Sequence, residues 1–149
     1  MDLPEVIRAG ETGTVRHARV LVVDDQPEIV GFVDRVLRAA GYSTRVAYAG
    51  PEALGIAETE GPFDLLLTDV CMPEMSGGDL ARRLRLRQPD VRVLYLTGYN
   101  EQLFSEKGYL WEGEAFLDKP TTVDGLLQAV SLLLYGSLQG QASAQGRKA

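Results

Sequence analysis

Apolar runs alternate with helical patterns five times along this chain, and that alternation constrains its fold more than any other feature. Val20 to Val23, Leu65 to Leu67 and Val93 to Leu96 are almost continuously apolar, as strands of a parallel sheet are when both faces are covered. Ser43 to Tyr48 alternates enough to be an edge strand, and Ala115-Phe116-Leu117 supplies a fifth run. Helices are expected from Pro27 to Ala40 and near Pro51 to Thr59, Gly78 to Arg87, Glu101 to Lys107 and Thr122 to Tyr135. The first is the clearest. Pro27 suits a first turn, Ile29, Phe32, Val33, Val36, Leu37 and Ala40 recur on one face, and Gly41 is placed to end it. The last opens on a capping-box-like Thr121-x-x-Asp124 and is expected to carry Val123, Leu126, Leu127, Val130, Leu133 and Leu134 inward. Five strands alternating with five helices predict a doubly wound α/β fold, because right-handed crossovers place helices on both faces of the sheet.

Such folds bind ligands beyond the carboxyl ends of their strands, near the switch in strand order. Four strand ends carry polar chemistry here: Asp24-Asp25 after the first run, Asp69 after Leu65-Leu66-Leu67-Thr68, Thr97 after the fourth, and Asp118-Lys119-Pro120 after the fifth. Carboxylates gathered in one crevice repel one another and raise each other's pKa unless a cation intervenes. A divalent metal is the natural remedy. With oxygen ligands and no cluster of His or Cys, Mg²⁺ is favoured over zinc, with Mn²⁺ as the substitute. Lys119 is then a second, movable cation. An aspartate in this setting can attack a phosphoryl group to form an aspartyl phosphate, with Thr97 donating to one of its oxygens.

Composition narrows the partners. The 149 residues, 45% hydrophobic and 24% charged, fit one ordinary domain. A net charge of -6 speaks against nucleic acid and anionic membrane surfaces, which reward clustered Lys and Arg. Cys71 is the single cysteine, so an internal disulfide and a multi-cysteine zinc site are excluded and a reducing compartment, the cytoplasm, is expected. No apolar stretch approaches the ~20 residues of a membrane span. Residues 1–18 read as a leader or linker, 19–135 as the folded domain, and the Gly/Gln/Ser/Ala-rich 136–149 as a flexible tail.

Val-Val-Asp24-Asp25 with Pro27, Leu-Thr-Asp69 with Met72-Pro73-x-Met75-x-Gly77, Leu-Thr97-Gly98 and Phe116-Leu-Asp-Lys119-Pro120 together resemble the receiver domain of two-component response regulators. The resemblance covers about residues 19–135. It implies a flavodoxin-like sheet in the order 2-1-3-4-5, with Asp69 accepting a phosphoryl group from a histidine kinase or phosphotransfer protein. It further implies Asp25 and Asp69 as direct Mg²⁺ ligands, Asp24 as a ligand through water, and the backbone carbonyl of Cys71 as another. Thr97 and Phe116 match the family's switch pair, Lys119 its phosphate-binding lysine, and Pro120 a position that is usually cis. In the family, phosphorylation changes the face formed by the fourth helix, fifth strand and fifth helix. Cys71 and Tyr99 occupy positions that control access of water to the phosphoryl group, and a long-lived phosphoryl state is the expectation drawn from them.

Blander readings exist for each residue taken singly. Asp24-Asp25 can cap the first helix, Asp69 a turn, and Thr97 the fourth helix; Lys119 can be a solvated lysine. Arg82, Arg83, Arg85 and Arg87 read as a solvated face rather than a nucleic-acid footprint. Two competing functions follow: a phosphate-independent docking module, and an aspartate-nucleophile phosphatase, which wants a second acid two residues after the nucleophile where this chain has Cys71. The leading reading is a signalling phosphoacceptor rather than an enzyme on an external substrate. Its output would pass through an unidentified downstream effector protein, with a phosphorylation-linked homodimer as one form. The chain reads either as a stand-alone regulator or as a part of a hybrid sensor kinase.

Overall fold

The structure, a computed structural model, describes residues 17–98, 113–119 and 121–136. Along the chain run β1 (Arg19–Val23), α1 (Pro27–Ala39), β2 (Ser43–Ala47), α2 (Gly50–Glu60), β3 (Leu65–Asp69), α3 (Gly77–Arg87), β4 (Arg92–Thr97), β5 (Glu114–Asp118) and α4 (Val123–Tyr135). The helix expected near Glu101 to Lys107 lies outside the described residues, as do Tyr99, Pro120 and most of the expected leader and tail. All five strands are parallel, in the order β2-β1-β3-β4-β5. The fold is the expected doubly wound, flavodoxin-like one. The order reverses beside β1, which pairs with β2 on one side and β3 on the other.

Side chains alternate across the strands, so each central strand feeds two cores. Leu21, Val23, Leu66, Val93 and Tyr95 face α2 and α3, where they meet Ala53, Ala57, Leu80 and Leu84. Val20, Val22, Leu65, Leu67, Leu94 and Leu96 face the other side, against Val30, Val33 and Leu37 of α1 and Leu126 and Val130 of α4. Each fully buried leucine contributes about 1.5–3 kcal/mol of transfer free energy. Apolar burial on both faces is why these runs carry no polar alternation.

Local signals decide the helix ends. Pro27 occupies the first turn of α1, and Gly41, just past its end, has φ 98, a left-handed conformation that glycine adopts without strain. Asp24 and Asp25 do not cap this helix: Gln26 is the N-cap residue and no side chain caps it. The cap of α4 also differs from expectation. Thr122, not Thr121, is the N-cap, its side chain accepting from the Gly125 N–H at 2.9 Å. Val123 thereby becomes the first helical residue and stays 47% exposed, whereas Leu126 and Val130 are buried and Leu127, Leu133 and Leu134 pack against the core at its edge.

Candidate functional site

The switch in strand order puts three carboxylates together. Asp69 is the last residue of β3 and is 8% exposed, Asp24 follows β1 directly at 2%, and Asp25 is exposed beside it. One carboxylate oxygen from each lies within 4.8 Å of the others. Lys119, just after β5, reaches across β4 to this group. Its Nζ donates to Asp69 Oδ1 at 3.0 Å and lies 3.0 Å from Asp24 Oδ2. The Lys119 N–H donates to the Thr97 carbonyl at 2.9 Å, which ties the ends of β4 and β5 together. Thr97 closes β4 and is 3% exposed. The carboxylates, the lysine and the hydroxyl selected from the sequence therefore share one mouth of the sheet.

Asp24 is fixed by the chain next to it. Its Oδ1 accepts from the Gln26 N–H at 2.9 Å. Its Oδ2 is buried and accepts no hydrogen bond of good geometry, leaving the Lys119 ammonium as an ionic neighbour only. A buried carboxylate oxygen left short of donors is unfavourable on its own. It is well suited to a cation. Among the described residues the donor set is all oxygen and three carboxylates gather beside one lysine, so the residues present fit a hard divalent ion such as Mg²⁺.

Gln26 and Gly77 complete the surroundings, and neither role is visible in the sequence pattern alone. Gln26 Oε1 lies 3.5 Å from Lys119 Nζ. Gly77, the first residue of α3, donates its N–H to the Val70 carbonyl at 2.9 Å and packs directly on the Asp69 backbone. Ser76 caps α3 by accepting from the Asp79 N–H. Cys71 is exposed in the loop after Asp69. Phe116 lies on β5, half-buried against the α2/α3 core and in register with Tyr95 of β4. Thr97 ends β4 two residues beyond Tyr95.

Electrostatics follow from burial and crowding. Burial, then the charge of Asp24, raises the Asp69 carboxyl from the ordinary 3.8 to about 6, with Lys119 opposing the shift. Burial also raises Asp24, against the Gln26 N–H and Lys119. Burial would lower Lys119, but its hydrogen bond to Asp69, its close ionic contact with Asp24 and the charges of both outweigh this, and its pKa is raised.

For Asp69 the sign is unfavourable to the metal-free fold at neutral pH. A carboxyl whose folded pKa lies above its unfolded value binds its proton more tightly when folded, so its contribution to stability falls as pH rises from about 4 to about 6. In EDTA, the unfolding midpoint of wild type relative to Asp69→Asn is expected to fall across that interval and to level off above it. A difference that stays constant from pH 4 to 7 would show that the carboxyl is not strained by folding.

The model of the response regulator receiver domain matches residues 20–131. The chain belongs to that family. The sensor kinase CckA of Brucella abortus is 36% identical over 118 residues, which are 78% of this chain and 12% of CckA. The response regulator receiver protein CpdR of the same organism is 31% identical over 116 residues, 78% of this chain and 96% of CpdR. Receivers of this kind thus occur both as a small part of a long kinase and as nearly a whole protein. Among solved structures, the response regulator TrrA of Thermotoga maritima, in complex with Mg²⁺-BeF, has a TM-score of 0.68 and 32% identity, covering 78% of this chain and 99% of that one. Among the described residues of the present chain, no helix is long and apolar enough to cross a membrane.

Proposed function

We propose that this receiver domain, residues 19–135, is a cytoplasmic phosphoacceptor that takes a phosphoryl group onto Asp69 from the phosphohistidine of a histidine kinase or phosphotransfer protein. The observation that carries the reading is the junction of Asp69 with Asp24, Asp25 and Lys119 at the switch in strand order. An Asp69 oxygen attacks phosphorus, the P–N bond of the donor breaks, and its electron pair leaves with the imidazole nitrogen. Asp24, Asp25, Asp69 and the Cys71 backbone carbonyl would hold Mg²⁺, or Mn²⁺ in its place. The bound ion supplies positive charge against the phosphoryl oxygens.

The chain's own groups do the rest. Lys119, protonated at all physiological pH, is already at the acceptor oxygen and follows the incoming charge. Thr97 donates its hydroxyl to a phosphoryl oxygen, and movement of Thr97 lets Phe116 shift inward, altering the face that includes β5 and α4. The Mg²⁺ bound to TrrA supports this choice of ion for a related receiver. A downstream effector protein would read the altered face, either on the monomer or on a phosphorylation-linked homodimer.

Intact-mass spectrometry after incubation with acetyl phosphate and Mg²⁺ tests the proposal. Addition of one phosphoryl group, absent in EDTA, is expected; no addition under either condition, nor from a phosphorylated histidine kinase, would leave a phosphate-independent docking module. The metal set has its own test by calorimetric titration with Mg²⁺. Asp25→Ala is expected to weaken binding at least about tenfold, while Arg83→Ala, on the exposed side of α3, leaves it unchanged. Equal effects of the two substitutions would sink the assigned ligands.

A further inference from the structure

We propose that the groove between α2 and α3 is a docking site for an acidic amphipathic helix of a partner protein, separate from the phosphoryl site. The groove encloses about 510 Å³ between Leu54 and Ala57 of α2 and Leu84 and Leu86 of α3, with Glu58, Arg83 and Arg87 at its rim. The helical period explains its shape. On α3, Leu80, Ala81 and Leu84 serve the core, whereas Arg83, Leu86 and Arg87 stand at i, i+3 and i+4 on an outer face. On α2, Leu54, Ala57 and Glu58 repeat the same spacing opposite them.

Leu86 is barely covered by the described residues. It is 81% exposed, the most exposed large apolar side chain among the described residues, and stands beside Leu54 rather than alone. An apolar surface shared by two helices and rimmed by charge marks an interaction site better than a scattered leucine does.

Charge selects the occupant. The chain as a whole carries -6, yet α3 holds four arginines and one acid, Asp79. Asp79 is bound to Arg82, and Arg85 is turned toward Glu114 of β5. Arg83 is exposed and makes no ion pair among the described residues; Arg87 reaches Glu58 only at 3.5 Å, with both side chains more than half exposed. Such a pair is weak and yields easily to a better acceptor. A helix presenting leucines one turn apart, flanked by glutamates, satisfies both the apolar floor and the two arginines. A basic helix would meet Arg83 and Arg87 with like charge, two positive groups at the rim against the single carboxylate of Glu58.

Distance separates this surface from the chemistry. α3 begins at Gly77, against Asp69, and runs away from it to Arg87, so Leu86 and Arg87 lie toward the end of the sheet at which β4 starts. Binding at the groove should therefore be indifferent to the acceptor.

The test uses the full chain labelled with ¹⁵N and two synthetic helical peptides, one with leucines at i, i+3 and i+7 among glutamates, the other with lysines replacing the glutamates. The glutamate peptide is expected to shift amide resonances along α2 and the second half of α3, to weaken as salt rises, and to bind Asp69→Asn equally well. Leu86→Asp and Arg83→Glu should each weaken it by about tenfold or more while leaving the melting temperature and phosphoryl uptake unchanged. Shifts of equal size with the lysine peptide, shifts confined to other elements, or none up to millimolar peptide would overturn the proposal. Loss of phosphoryl uptake would not touch it, so the two readings fail independently.

Discussion

Asp69→Asn is expected to lose phosphoryl uptake to below about 1% of wild type and, in the absence of metal, to become more stable. The two effects have one cause. An amide oxygen is a poor nucleophile, but the amide is nearly the same size as the carboxylate, so its oxygen can keep accepting from Lys119 Nζ where Asp69 Oδ1 now does at 3.0 Å. Removing the charge relieves a carboxyl that burial and Asp24 hold near pKa 6. Two pKa units correspond to about 3 kcal/mol, and part of this is offset because the Lys119 ion pair loses a member. A net gain of about 1–2 kcal/mol, or about 3–8 °C in melting temperature in EDTA at pH 7, is the expected result. Mg²⁺ should narrow or reverse the gap, since binding stabilises the wild type in proportion to its affinity. A destabilised Asp69→Asn protein in EDTA would mean that the carboxylate supports the fold. Retained uptake would mean that another group is the acceptor.

A cluster of carboxylates at the switch point is easy to read from sequence, for a physical reason. Buried parallel strands leave apolar runs that end abruptly, and the polar residue at each end is where the sheet opens to solvent. Asp24, Asp69, Thr97 and Lys119 all stand at or next to such ends. The run Leu65 to Leu67 stops short of the true strand, because Thr68 and Asp69 are polar but buried members of β3. Contacts made across long stretches of chain leave no such trace. Arg85 was expected on a solvated face, yet its Nη2 lies 3.3 Å from Glu114 Oε2, a carboxylate whose side chain is 1% exposed. That pairing spans 29 residues and depends on how α3 rests on the sheet. Ambiguity of a single step also defeats a local pattern. Thr121 and Thr122 are both good caps, and choosing the second turned Val123 outward. Gln26 gave no motif of its own, since its value lies in a backbone N–H bound to Asp24 and an amide oxygen near Lys119.

Gly77→Ala is expected to be the most damaging small substitution in the fold. A Cβ at residue 77 would overlap the Asp69 carbonyl oxygen, and it would lie 3.1 Å from the Asp69 carbonyl carbon and 3.2 Å from Val70 Cα. Every one of these is a backbone atom, so no flexible side chain can swing aside. Either the start of α3 moves out, breaking the Gly77 N–H to Val70 carbonyl bond of 2.9 Å, or the end of β3 moves and carries Asp69 with it. The expected cost is about 2–4 kcal/mol in unfolding free energy. Mg²⁺ affinity should fall as well, because a ligand set tolerates displacements of only about 0.5 Å. Gly55→Ala is the internal comparison. That glycine is exposed within α2 with nothing near its absent Cβ, and alanine there is expected to stabilise the protein by about 0.5–1 kcal/mol through helix propensity. Denaturant unfolding of the two variants, with Mg²⁺ titrations of the folded protein, separates the outcomes. Equal stability of Gly77→Ala and wild type would show that α3 does not press on the Asp69 backbone. A destabilised variant with unchanged Mg²⁺ affinity would place the strain in α3 alone and leave the acceptor's position independent of the glycine.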